Sequence, residues 1–484
     1  MNNTNFKIPK KGMDKKAVLD MMKSYNKDDA NYRDAKTWSL VYYIGEEHTQ
    51  FLKEAYGLYF SENGLNPMAF QSLKRFESEV IRMSASMLNG DKNVVGSMTS
   101  GGTESCLLPV ATYRDLARSK RRLWITKPEM IAPESIHPAW KKAAHYFDVK
   151  IIHAPLDKNY RVDAEAVKRL INRNTIMLLG SAPSYPHGVI DPIEELGAIA
   201  HENNIPLHVD SCLGGFILPF VERLGYDIPV FDFRVPGVTS ISADVHKYGY
   251  SAKGASTVLY RNMDYMRHQI YVYTDWSGGI YASAGMLGTR PGGAIAAAWA
   301  SMKALGEDGY LEKTRIVMET TKKILDGIGS IPELEVVGNP DMSVFAYKSR
   351  SKNLNIYAVG DQMEEKGWTI DRLQKPKALH VMVTPLHERV IDEYISDLKK
   401  SVEYVRGKPG LASKGNAAMY GMIANVPLRG MIKKEVLKMM EDMYGPERKM
   451  PGLASGGPGK EKEPLFMKVA AKALNAIDRF RKEK

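Results

Sequence analysis

The chain of 484 residues has only two cysteines, Cys106 and Cys212, with no CxxC pair and no Cys/His ligand spacing around either. A disulfide framework and a metal site built on paired thiols are therefore not expected. No stretch of about 18 uncharged apolar residues occurs, so a membrane-spanning helix is excluded as well. The opening residues MNNTNFKIPKKGMDKK are basic but lead into no apolar run, which argues against a signal peptide and for a cytoplasmic protein. No basic block stands out either. The 67 Lys and Arg against 56 Asp and Glu leave a formal charge of +11, but they are spread along the chain without a nucleic-acid motif. Nucleic acid is not an expected partner; a phosphorylated substrate or an anionic lipid surface accounts for the surplus equally well. There is no internal repeat.

What is present is an α/β pattern. From about residue 92 to residue 262, short apolar runs alternate with helical stretches, as in a mainly parallel sheet covered by helices. Candidate strands are Val94–Met98, Leu123–Thr126, Lys150–Ala154, Ile176–Ser181, Leu207–Ser211, Ser240–Ala243 and Thr257–Tyr260. Helices are expected over Glu104–Ser119, His137–Phe147, Ala164–Asn172 and Ile193–Asn203, and later over Ala294–Leu305 and Thr314–Ile328. Strands at Glu335–Val337, Ser343–Tyr347 and His380–Val383, with helices at Gly360–Lys366 and Glu388–Val405, read as a smaller α+β unit. The expected division is a helical arm over 1–90, a large domain over 91–306, a small domain over 307–444 and a tail over 445–484. In the tail, a Gly/Pro-rich stretch precedes Phe466, Val469, Ala473, Ile477 and Phe480 at helical spacing. That basic amphipathic helix is expected to dock on its own protein or a partner subunit, with weak association to anionic lipid as the alternative.

Four constellations carry chemistry. In S-I-S-A-D-V-H-K-Y-G-Y (Ser240–Tyr250) a strand ends at His246-Lys247. A lysine amine can hold an aldehyde cofactor as a Schiff base when it is partly desolvated. Upstream, in I-P-L-H-V-D-S-C-L-G-G (Ile205–Gly215), His208 and Asp210 lie two apart on a strand and face the same way. A carboxylate there can keep a pyridine ring protonated. T-S-G-G-T-E-S (Thr99–Ser105) places Gly101, Gly102 and Thr103 between a strand and a helix, where backbone N–H groups and the helix end favour phosphate. In E-S-I-H-P-A-W (Glu134–Trp140), His137 opens a helix and can lie on a flat ring. Taken singly, each has a bland explanation: a surface lysine, a helix cap, an ordinary turn. Their order matches pyridoxal-phosphate (PLP) enzymes of the aspartate aminotransferase superfamily, fold type I, whose large domain holds a mainly parallel seven-stranded sheet beside a smaller C-terminal domain.

Beyond these, G-E-E-H-T (Gly45–Thr49), P-H-G-V-I-D-P (Pro186–Pro192), F-D-F-R-V-P-G-V-T (Phe231–Thr239), T-D-W-S-G-G-I-Y (Thr274–Tyr281) and R-P-G-G (Arg290–Gly293) complete a resemblance to the sphingosine phosphate lyase family, of the soluble bacterial type. The resemblance runs from about Tyr42 to Tyr420. It implies a homodimer with its active site at the subunit interface, Lys247 carrying the cofactor, His137 stacking on it and Asp210 pairing with the ring nitrogen. Substrate phosphate would meet Tyr42 and Lys253. Two positions depart from the family: Asn66 stands where it has histidine, and Thr289 where it has serine. The first loses a group able to carry positive charge.

The expected reaction is therefore a retro-aldol cleavage of a 2-amino-3-hydroxy long-chain phosphate to an aldehyde and phosphoethanolamine. His246, Tyr185 and Lys253 are unranked candidates for proton handling. The alternative enzyme reading is an amino-acid decarboxylase, whose family shares the His/Asp strand and the His-Lys pair. A non-catalytic binding protein would need none of Lys247, Asp210 and His137.

Overall fold

A computed structural model of the chain describes residues 8–120, 127–425 and 429–446. The apolar runs in the middle of the chain form seven strands: β1 (Val95–Thr99), β2 (Glu129–Pro133), β3 (Lys150–Ala154), β4 (Thr175–Ser181), β5 (Leu207–Asp210), β6 (Val238–Ala243) and β7 (Ser256–Tyr260). They join in the order β1-β7-β6-β5-β4-β2-β3. Only β7 runs against its neighbours, β1 and β6; the other pairs are parallel. A parallel strand covered on both faces must be apolar throughout, and β4 and β6 are buried at every residue. The carboxyl ends of β1, β4, β5 and β6 thus share one edge of the sheet, the place where open α/β sheets assemble sites.

The expected α/β architecture is present, with local corrections. The candidate strand at Leu123–Thr126 falls outside the described residues, and the strand paired between β4 and β3 is Glu129–Pro133. Lys127-Pro128 before it reads as a breaker, which hid it. The two helices expected over 294–328 are one run, Gly292–Gly329, bent at Gly306, whose φ of 58° and ψ of −173° suit only glycine. The tail beyond residue 446, with its Gly/Pro stretch and amphipathic helix, lies outside the described residues.

Two further sheets follow. A hairpin of β8 (Tyr271–Trp276) and β9 (Gly279–Ser283) turns through Ser277-Gly278 and was not foreseen as strands. The second is an antiparallel sheet of β10 (Leu334–Val336), β11 (Val344–Ser349), β12 (Asp371–Gln374) and β13 (Lys377–Met382) in the order β10-β11-β13-β12. Tyr248 ties it to the large sheet, its hydroxyl donating to the Val383 carbonyl at 2.8 Å. Among the described residues, no helix is long and apolar enough to cross a membrane.

Candidate active site

The strand ends surround a cavity of about 390 Å³, within the size range of small-molecule sites. Lys247 and His246 enter it from the turn after β6, Asp210 from the end of β5, Gly102 and Thr103 from the turn after β1, and His137 from the start of the helix Pro138–Phe147. Tyr185, Tyr42 and Lys253 complete the predicted residues that line it.

Asp210 is held by its surroundings. Its Oδ2 accepts from Trp140 Nε1 at 2.8 Å and from Cys106 Sγ at 3.9 Å, and its Oδ1 from the Cys212 N–H at 3.2 Å and Ser242 Oγ at 3.4 Å. Burial alone would raise its pKa, but the Trp140 bond, the nearby His137 and the Cys212 hydrogen bond together hold the carboxyl below its ordinary value. An ionised carboxylate at the cavity wall is the result.

Lys247 Nζ lies 3.0 Å from Asp244 Oδ2. Burial works against its charge, yet Asp244 outweighs that and keeps the ammonium above its usual range. Asp244 is itself 1% exposed and receives Ser256 Oγ at 2.5 Å. Sequence reasoning missed Asp244 even though it stands three residues before Lys247 in the motif; a carboxylate one turn from a lysine was the available signal.

His137 caps the helix that follows it, its Nδ1 accepting the Ala139 N–H at 3.2 Å, so the proton sits on Nε2. Burial lowers its pKa, leaving a neutral ring. At the glycine turn, a Cβ on Gly102 would fall 2.6 Å from Asp244 Oδ2, so only glycine fits. Glu104 shapes this turn: one oxygen accepts the Ser100 N–H and Oγ–H at 2.7 and 2.6 Å, and the other accepts the Met286 N–H at 2.8 Å.

Lys253 Nζ donates to the carbonyls of Leu40 at 3.0 Å and His246 at 3.4 Å and lies 5.1 Å over the Tyr42 ring. Burial, then the charge of Lys247, lowers its pKa to about 8. Tyr42 donates its hydroxyl to Met382 Sδ at 2.7 Å.

Several predicted residues are elsewhere. His208 is fully buried behind Asp210, bonded through Nδ1 to Ser240 Oγ at 2.7 Å and through Nε2 to Ser242 Oγ at 3.2 Å. It steadies Ser242, which bonds Asp210, and does not reach the cavity. Gly101 backs the turn without lining the cavity, close to His246. Asn66 and Thr289 are exposed and outside the cavity of this chain. Asn66 Oδ1 instead caps its own turn through the N–H groups of Met68 and Ala69 at 3.0 and 3.3 Å. Thr289 Oγ1 accepts from Asn63 Nδ2 at 3.2 Å, so the two predicted positions share one surface strip. The two cysteines, expected to form neither a disulfide nor a metal site, both line the cavity. Their sulfurs and an Asp210 oxygen lie within 4.8 Å of one another. Burial pushes the Cys106 thiol up to about 11, so it remains a donor to Asp210.

Comparison with known proteins identifies this arrangement. Residues 70–350 match the pyridoxal-dependent decarboxylase conserved domain. The chain is 46% identical over 445 residues to the sphingosine-1-phosphate lyase of Arabidopsis thaliana, covering 90% of this chain and 81% of that one. It belongs to the sphingosine-1-phosphate lyase family. The solved structure of sphingosine-1-phosphate lyase from Burkholderia pseudomallei K96243 superposes with a TM-score of 0.81 at 40% identity, covering 90% of this chain and 97% of that one. A glutamate decarboxylase of Lactobacillus brevis, 18% identical with a TM-score of 0.74 over 84% of this chain and 96% of that one, shares the fold.

Members of the sphingosine-1-phosphate lyase family in this fold are PLP-dependent lyases, and so is this chain. Its residues fit the cofactor. Asp210 offers an ionised acceptor to a ring N–H, Lys247 an amine, and the turn opening the helix Gly102–Lys120 its backbone N–H groups to a phosphate, with His246 Nδ1 buried at the cavity without a hydrogen-bond partner. Lys247 would hold the aldehyde carbon, Asp210 the ring nitrogen, and the Gly101–Thr103 turn with His246 the phosphate.

Proposed function

We propose that the chain cleaves the Cα–Cβ bond of sphingosine phosphate-like 2-amino-3-hydroxy long-chain phosphates, releasing a long-chain aldehyde and phosphoethanolamine. The observation that carries this reading is a further polar pair in the same cavity: Tyr42 and Lys253, which are not assigned to the cofactor, offer a phenol and an ammonium to a substrate phosphate.

When bound, the cofactor supplies a protonated ring that takes up the electron pair of the breaking bond. Asp210 would keep that ring protonated, because its own charge is held by Trp140 and the Cys212 N–H. Lys247, positioned by Asp244, would hold the cofactor's aldehyde carbon. His137 bounds the cavity as a neutral ring and adds no competing charge.

The assembly is proposed to be a homodimer. The hairpin β8–β9 exposes Tyr271, Val272, Trp276 and Ile280, the last at 77%, more apolar surface than a lone chain carries comfortably in one place. The strip with Asn66 and Thr289 carries Met68, also exposed, and these two residues are assigned to the phosphate end of the neighbouring copy's cavity. Within the chain we take 1–90, 91–306 and 307–444 as arm, large and small domains.

The test is incubation of the cofactor-loaded protein with sphingosine phosphate, assayed for both products and for carbon dioxide from amino acids. Long-chain aldehyde with phosphoethanolamine supports the proposal. Cofactor absorption with carbon dioxide and no aldehyde would replace it with the decarboxylase reading.

A further inference from the structure

Tyr185 lines the cavity and is fixed from three sides. His380 Nε2 donates to the Tyr185 carbonyl at 2.8 Å, and the two rings stack with centroids 4.4 Å apart and 29° between planes. The Tyr185 hydroxyl donates to Asp371 Oδ2 at 3.2 Å. Asp371 and His380 are themselves paired across β12 and β13, so a phenol at the edge of the large sheet is gripped by the small sheet. A phenol has one proton. Once that proton is directed at Asp371, the oxygen's lone pairs remain to accept a hydrogen bond from a group in the cavity.

The rival proton acceptors are placed less well. Lys253 already donates to two carbonyls. His246 lies 3.6 Å from Asp244, beyond hydrogen-bond reach, and shares that carboxylate with Lys247. Among the three candidates, only Tyr185 has a hydrogen-bonded carboxylate directly behind it.

We propose that Asp371, acting through Tyr185, receives the proton of the substrate hydroxyl next to the bond that breaks. The inference rests on the lyase reading above. The substrate O–H bond breaks as its proton passes to Tyr185 Oη, and the Tyr185 O–H bond breaks as its proton passes to Asp371 Oδ2. The pair left on the substrate oxygen forms the aldehyde C=O as Cα–Cβ breaks, and the pair from that bond stays with the amine-bearing fragment. The proton on Asp371 returns by the same route to Cα of that fragment, closing the proton count. Tyr185 touches the substrate and is the catalytic residue; Asp371 is its positioning residue and proton store. Burial, with the Asp371 charge next, holds the phenol above its ordinary pKa, so it relays a proton as a neutral group. Lys247, His137, Tyr42, His380 and Tyr420 are other titratable groups facing the pair.

The experiment compares wild type, Asp371→Asn, Asp371→Glu, Tyr185→Phe and the Asp371→Asn/Tyr185→Phe double variant, each loaded with cofactor and checked for unchanged cofactor absorption and melting temperature. Asp371→Asn is expected to lower kcat on the order of 10²-fold with KM within about twofold. Asp371→Glu should recover part of kcat, and the double variant should be no slower than Tyr185→Phe alone, because the two groups act in series. An Asp371→Asn enzyme at wild-type kcat, or a double variant whose losses multiply, overturns the proposal. A second readout needs no turnover. In the cofactor-free protein, the ultraviolet titration of wild type minus Tyr185→Phe isolates one phenol, which should ionise at lower pH once Asp371→Asn is introduced. If wild type makes no aldehyde, the lyase reading fails on its own, and an unmoved phenol titration separately rejects the Tyr185–Asp371 coupling.

Discussion

The ends of β5 and β6 and the strip around Asn66 and Thr289 are both assigned to one reaction, yet they are built in opposite ways. At the strand ends, Asp210 has four donors, Asp244 is almost wholly buried, and each group is placed by a strand of the central sheet. On the strip, Asn66 is exposed and serves its own turn, and the Thr289 hydroxyl meets Asn63. Groups assigned to the cofactor are preorganised within one chain; of those assigned to substrate phosphate, Tyr42 and Lys253 share that cavity, whereas Asn66 and Thr289 are proposed to meet it from a second copy.

The sharpest way to break this contrast is at its rigid side. Lys247→Ala should abolish the near-ultraviolet absorption of the covalently held cofactor and lower turnover by at least about 10³-fold; a variant that kept both would remove Lys247 from the site. The exposed side is tested by Trp276→Asp with Ile280→Asp on the hairpin. Sedimentation should then report single chains with normal cofactor absorption and activity down about 10²-fold, because positioning of the phosphate end is lost. Retained dimer with retained activity would count against the hairpin as the contact.

A smaller effect comes from Lys253. Its ammonium is the form that meets phosphate, and it loses its proton near pH 8. Therefore kcat/KM should fall as pH rises through about 8, and Lys253→Ala should lower the plateau and remove that limb. The smallest effect is expected at the strip: Asn66→His should lower KM for the phosphorylated substrate about fivefold at pH 6, worth about 1 kcal/mol, and have little effect at pH 8, where the imidazole is neutral.

Much of the rigid half was legible. Lys247, Asp210, His137 and the glycine turn each sit in a short contiguous motif at a strand end, and strand ends are what apolar runs reveal best. His208 was misplaced because alternation along a strand tells which face a residue takes, not how far along that face the cavity reaches. Asp244 was in view inside its motif, but its pairing with Lys247 depends on the turn after β6. Tyr185 could be named but not ranked, since Asp371 lies 186 residues further along the chain. The hairpin went unread for another reason: its aromatic residues face outward in the single chain, and apolar patterning is ordinarily a signal of burial. Asn66 and Thr289 could be placed by resemblance alone, because no short-range pattern encodes the contact with a second copy proposed above.

Glu104 joins these two halves. One oxygen grips the turn assigned to phosphate, and the other grips the backbone at Met286, three residues before Thr289. It works as a strut: the loop leaving the hairpin cannot slide without either dragging Ser100 along or stripping a largely buried carboxylate of a donor. A displacement of the outer loop is therefore passed, by way of Glu104, to the turn proposed to hold the cofactor's phosphate.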